Sequence, residues 1–226
     1  MKREIRLTAD GSTTIYLPDL DENYHSHHGA IQEAQHVFIK NGLEFALTQK
    51  GEKEELNILE IGFGTGLNAL LTALNVVNLS NTIKYLGIEA FPVASELLVQ
   101  MNYIDQLKSY ERAHSIFSKI HQATWENYES ITSNFELCKQ EVKLEHFESE
   151  QKFDLVYYDA FGPRAQIEMW SIQNLEIVAK HLKSGGILVT YCAKGQFKRD
   201  LRSLGFEIEA LPGPPGKREM VRATKI

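Results

Sequence analysis

Two hydrophobic rhythms alternate along this chain, and their alternation predicts its fold. Residues 56–61, 82–88, 134–138, 153–158 and 187–191 form short, nearly continuous apolar runs of the kind that strands buried on both faces require. Residues 67–71, 93–107, 109–133, 168–181 and 195–204 instead carry their apolar side chains at helical spacing, with Ile116, Ile120 and Trp125 on the inner face of the third. Strand followed by helix, repeated in this way, predicts an α/β protein with a parallel sheet and helices on both faces. Only a Pro-Gly-rich connection separates the runs at 206–211 and 220–224, too short for a crossover helix, so these two must pair antiparallel. The expected architecture is an open, mostly parallel sheet of seven strands, the last an antiparallel edge strand.

Ahead of that core, residues 4–8 and 13–17 alternate around Asp10-Gly11 and predict a β-hairpin. Residues 30–39 predict an amphipathic helix, which Asn41-Gly42 interrupts before 43–48 resumes. Residues 1–50 are therefore expected as a hairpin and helical extension packed on a core of residues 51–226.

The first apolar run ends in Glu60-Ile61-Gly62-Phe63-Gly64-Thr65-Gly66-Leu67-Asn68, a strand, a tight turn and a helix start. Glycines at this turn permit close approach of a ligand to the main chain, and the free N–H groups of the helix point back at the same place. The spacing is GxGxG rather than the dinucleotide G-x-G-x-x-G, and no Gly-Lys-Ser/Thr follows to hold a triphosphate. A nucleoside without a phosphate chain is the better guest. Glu89, at the end of the second run and about twenty residues on, is placed to accept hydrogen bonds from ribose hydroxyls. Glu141, at the tip of the third, is a candidate acceptor for an adenine amino group. Asp159, at the end of the fourth, shares the carboxyl-end rim with the glycine turn and can orient an amine nucleophile or accept its proton.

Composition narrows the choice of partners. The chain has 226 residues, 43% of them hydrophobic, enough for one sizeable core. It has neither an eighteen-residue apolar run nor a signal-peptide pattern, so a cytoplasmic location without a membrane is expected. Cys138 and Cys192 lie in apolar segments without CxxC spacing and read as buried thiols. His25, His27, His28 and His36 cluster without cysteine or an H-E-x-x-H pattern, so no metal is expected. Tyr24, Ser26 and His28 are instead candidates for substrate contact, with His25 and His27 pointing away if the segment is extended. The net charge of −6 excludes bulk electrostatic attraction to nucleic acid and leaves room for a local basic rim. Lys194, Lys198, Arg199 and Arg202, together with Lys217 and Arg218, are its candidates.

The glycine turn with its Leu67-Asn68 continuation, Asp159-Ala160-Phe161-Gly162-Pro163 with Met169-Trp170, and Gly216-Lys217-Arg218-Glu219-Met220 resemble class I S-adenosylmethionine-dependent methyltransferases. More narrowly, they resemble the MnmC-type domain that completes 5-methylaminomethyl-2-thiouridine at the tRNA wobble position. That resemblance, which runs from the Asp10-Gly11 hairpin to Met220, implies a class I methyltransferase fold with S-adenosylmethionine as cofactor. It implies a cofactor site of Glu60, Gly62, Phe63, Gly64, Gly66, Asn68, Glu89 and Glu141, with Asp159 beside the reacting amine. It also implies substrate contacts from Tyr24, Ser26, His28, Phe161, Lys217 and Arg218, and the tRNA anticodon loop as partner. Family members often carry Gly-Asp where this chain has Gln140-Glu141, which weakens the adenine assignment. Others are fused to a flavin-dependent oxidoreductase for which these residues leave no room, so a separate oxidoreductase is expected to supply the aminomethyl substrate. A small-molecule N- or O-methyltransferase, an aminopropyl transferase and a non-catalytic cofactor-binding protein remain the competing readings.

Overall fold

The computed structural model describes residues 2–51 and 53–226. Three strands, β1 (Glu4–Leu7), β2 (Thr13–Leu17) and β3 (Glu22–Asn23), form a small antiparallel sheet. The main sheet contains β4 (Glu55–Ile61), β5 (Thr82–Glu89), β6 (Glu129–Thr132), β7 (Phe135–Glu141), β8 (Phe153–Tyr158), β9 (Leu182–Thr190), β10 (Phe206–Pro212) and β11 (Glu219–Lys225). Their spatial order is β10-β11-β9-β8-β4-β5-β7-β6. From β9 through β8, β4 and β5 to β7 every pairing is parallel, and β11 runs antiparallel to both β9 and β10.

Side chains alternate between the two faces of this sheet. Ile58, Tyr85, Leu155 and Tyr157 pack into one core with the helices Leu67–Val76 and Ala113–Gln122. Leu59, Leu86, Val156 and Tyr158 pack into the other with the helices Ile172–His181 and Gly195–Ser203. The continuous apolar runs have the cause read from sequence, burial on both faces.

Several elements depart from expectation. The seven expected strands are joined by an eighth: the stretch 109–133 is helical only over Ala113–Gln122, and β6 then pairs antiparallel with β7. Trp125 lies outside that helix, in a bridge to Lys139. Residues 93–107 hold two one-turn helices, Ser95–Leu98 and Tyr103–Gln106, rather than one long one. Asn41-Gly42 does not break its helix. The stretch from Ala30 continues through a π-helical segment, Gln35–Glu44, into Phe45–Thr48, because Gly42 packs where a Cβ would lie 2.9 Å from Val189. β11 is not at an edge, since it slots between β9 and β10.

Candidate active site

The C-terminal ends of β4, β5, β7 and β8 open into one cleft enclosing about 1260 Å³ of free space, part of it open to solvent. This is the crevice at which open α/β sheets bind ligands. Of the residues singled out from sequence, Tyr24, Glu60, Gly62, Phe63, Gly64, Asn68, Glu89, Asp159 and Phe161 all line it.

Glu89 is fixed by two main-chain donors. The N–H groups of Gly64 and Phe91 each donate to its carboxylate at 2.9 Å, tying the glycine turn to the end of β5. Gly62 adopts φ +86°, and a Cβ there would lie 2.6 Å from the Asp159 carbonyl oxygen. Its missing side chain therefore lets two neighbouring strand ends approach, a different reason from the ligand clearance expected. Phe63 turns away from its neighbours' role. Its ring is buried against Gly87, where an added Cβ would meet it at 2.3 Å, and lies edge-on to Trp125 at 6.4 Å. Gly66 is the left-handed cap of the Leu67–Val76 helix and lies behind the cleft surface.

Beneath the glycine turn, four polar side chains form a chain. Asn68 Nδ2 donates to Glu60 Oε1 and to Asp159 Oδ2, both at 2.8 Å, and the Tyr85 hydroxyl donates to Glu60 Oε2 at 2.8 Å. Burial pushes the Glu60 carboxyl well above the usual carboxylate range, and the Asp159 charge adds to the shift. Burial and the neighbouring Glu33 charge push Asp159 up to about 7, against the opposing pull of Asn68 and Lys217. Asp159 is thus poised to change charge near neutrality.

The loop after Asp159 is held rigidly. Tyr191 donates to the Ala160 carbonyl at 2.7 Å, Trp170 Nε1 donates to the Phe161 carbonyl at 2.8 Å, and Phe161 packs edge-on against Tyr24 at 5.1 Å. Tyr24 is held by burial at about 12 and stays a neutral phenol.

Other expectations are corrected. Residues 24–28 are a turn rather than an extended segment: the His28 N–H donates to Ser26 Oγ at 3.2 Å, and the Ser26 N–H donates to Glu33 at 2.8 Å. His25 consequently faces the cleft with Tyr24, buried and held neutral down to about 4, while His28 and Ser26 lie off the cleft wall. Glu141 does not reach the cleft. Its N–H donates to Glu126 at 3.0 Å, its side chain is exposed, and residues 142–145 line the wall instead. Lys217 is turned inward, bonded to the buried Glu33 and set 3.7 Å from the centre of the Tyr191 ring, whereas Arg218 is exposed. Sequence reasoning gave no role to Arg3 or Glu33. Arg3 donates to the carbonyls of Phe91 and Pro92 at 2.6 and 3.0 Å from across the chain, and only the fold reveals either contact. No group of three or more His, Cys, Asp or Glu side chains among the described residues is arranged to hold a metal.

A family model described as S-adenosyl-L-methionine-dependent methyltransferase matches residues 107–226. The chain belongs to that family. This methyltransferase is 30% identical, over 96% of its length, to the tRNA 5-methylaminomethyl-2-thiouridine biosynthesis bifunctional protein MnmC of Pseudoalteromonas atlantica. To the MnmC of Cupriavidus metallidurans it is 31% identical, again over 96% of its length. The match occupies 33% of each relative, so the chain spans about a third of their length. Among solved structures, MnmC2 from Aquifex aeolicus superposes with a TM-score of 0.77 at 23% identity, covering 99% of this chain and 70% of that one, a likeness of fold.

S-adenosylmethionine is the cofactor of this methyltransferase, and the cleft suits it. Glu89 keeps lone pairs free beside its two main-chain donors, and the apolar Ile88, Val142 and Leu144 line the same space.

Proposed function

We propose that this methyltransferase transfers a methyl group to the exocyclic amine of 5-aminomethyl(-2-thio)uridine at the tRNA wobble position. The observation that carries the reading is the likeness to MnmC over nearly the whole chain. Removal of the carboxymethyl group from the same base would fall to a separate flavin-dependent partner, and a tRNA substrate fits action in the cytoplasm.

Bound S-adenosylmethionine supplies an electrophilic methyl on a sulfonium sulfur. An alkylammonium has no free lone pair, so the residues here must hold the neutral amine in line with that methyl. The Asp159 carboxylate accepts one of its N–H groups. When the amine takes the methyl group, positive charge would develop on its nitrogen, and the Asp159 carboxylate would stabilise that charge and accept the proton the product gives up. Phe161 and Tyr24 form a rigid aromatic wall against which the extruded base can pack.

Incubating the purified protein with labelled S-adenosylmethionine and bulk tRNA from cells lacking the final wobble modification tests this directly. Label in 5-methylaminomethyl(-2-thio)uridine is the expected result. Label on free nucleosides or small amines, with none on tRNA, would replace this reading with the small-molecule one.

A further inference from the structure

Asn68 is only 2% exposed, and its side chain lines the cleft between Glu60 and Asp159. Both hydrogens of its Nδ2 are committed, one to each carboxyl group at 2.8 Å, which fixes the orientation of the amide. Its Oδ1 is buried and accepts no hydrogen bond from the protein among the described residues. A buried carbonyl oxygen without a donor is costly and uncommon, and at a cleft wall it marks a place where a ligand N–H or O–H belongs. The two neighbouring carboxyl groups select a ligand that carries N–H groups and develops positive charge.

The proposed reaction supplies such a ligand, and this inference rests on that reading. A primary amine attacks through its lone pair, so its two N–H groups must be held on the side away from the methyl donor. Asp159 provides one acceptor, and Asn68, bonded directly to it, offers the second at a fixed separation. We infer that the Asn68 carbonyl oxygen accepts the second N–H of the attacking amine, aiming its lone pair and limiting transfer to one methyl group. After the first transfer and loss of a proton, the secondary amine has a single N–H for two acceptors. Placing it for a second attack strands one of them and pushes the new methyl against the other. Asn68 was expected from sequence among the cofactor contacts, and this assignment moves it to the substrate.

Loss of Asn68 also frees Asp159 from a hydrogen bond that favours its ionised form, so an indirect effect must be separated from a direct one. The charged and titratable groups facing Asp159 are Glu60 on β4, Tyr85 on β5, Glu33 on the helical stretch, Lys217 before β11 and Tyr191 after β9. Substitution at position 68 also removes a hydrogen bond from Glu60 and leaves the other groups' side chains in place. An effect acting only through Asp159 disappears once the pH is high enough to ionise it; loss of an amine acceptor does not.

The test uses Asn68→Ala, with Asn68→Ser as a second, smaller perturbation should the first unfold. Single-turnover methylation of aminomethyl tRNA is followed at saturating cofactor from about pH 6 to about pH 9, with cofactor affinity measured by calorimetry and the products of a separate multiple-turnover incubation identified by mass spectrometry. The expected result is a rate about 10- to 100-fold lower that persists at high pH, cofactor affinity within about threefold of the parent, and appearance of dimethylated product. Recovery of the parental rate at high pH, or a loss of cofactor affinity large enough to explain the slower rate, overturns the inference. A parent protein inactive on this tRNA overturns the functional reading beneath it; an active parent matched by its Asn68 variants overturns the Asn68 role alone.

Discussion

Asp159 concentrates the conflict between stability and activity in a single side chain. Its carboxyl is held up to about 7 by burial and by Glu33. Below pH 4 it is protonated both folded and unfolded and contributes no difference. As the pH rises from about 4 to 7 the unfolded chain ionises first, so stability is lost over that window and stays lost above it. Asp159→Asn is therefore expected to abolish methyl transfer while leaving cofactor affinity nearly intact, and to raise the melting temperature at pH 8 but not at pH 4. Thermal melts at the two pH values check the second part. Lys217 acts from the other side of the same group by favouring the ionised form. In Lys217→Met the rise of kcat through neutrality should move to higher pH, which a kcat–pH profile at saturating substrates would show.

At the level of elements, the glycine turn shows how far sequence carries and where it stops. The strand–turn–helix, the placement of Glu89 and Asp159 on one rim and the parallel sheet were all legible, because each follows from local pattern and from where parallel strands end. The reasons for the glycines were not. Gly62 makes room for the main chain of β8's end, and Gly87 in the middle of β5 makes room for Phe63, contacts between segments distant in sequence. Gly87→Ala is accordingly expected to destabilise the fold by about 1–3 kcal/mol and to disturb the turn through Phe63, measurable by denaturant unfolding. The Glu33–Lys217 pair was hidden for the same reason, its partners being 184 positions apart. The π-helical Gln35–Glu44 segment was missed because Gly42 next to Asn41 looks like a stop, whereas its value is the close packing it allows on β8 and β9.

For the molecule as a whole, a net charge of −6 means that any hold on tRNA phosphates comes from a few well-placed cations. The structure divides the expected rim. Lys198 is paired with Glu219 at 3.2 Å and Lys217 with Glu33, while Arg218 is exposed and meets no carboxylate among the described residues. Arg218→Gln should weaken tRNA binding and lower the salt slope by about 1, and Lys217→Gln should leave that slope unchanged. Filter binding across a salt series distinguishes them. No helix among the described residues is long and apolar enough to cross a membrane.

The position of β11 has a consequence in time. Synthesis proceeds from the N-terminus, so this strand is made after both of the strands it must lie between, and Met220, Val221 and Ala223 are fully buried once it is in place. Until residue 225 has left the ribosome, β9 has an unpaired edge and β10 lacks its partner in the sheet. The sheet closes in one late insertion, and a pause in translation after β9 has emerged and before β11 has done so prolongs exposure of an unpaired edge. Ribosome-bound chains halted with residue 212 just outside the tunnel should be cut readily by protease, and those with residue 225 outside should resist it.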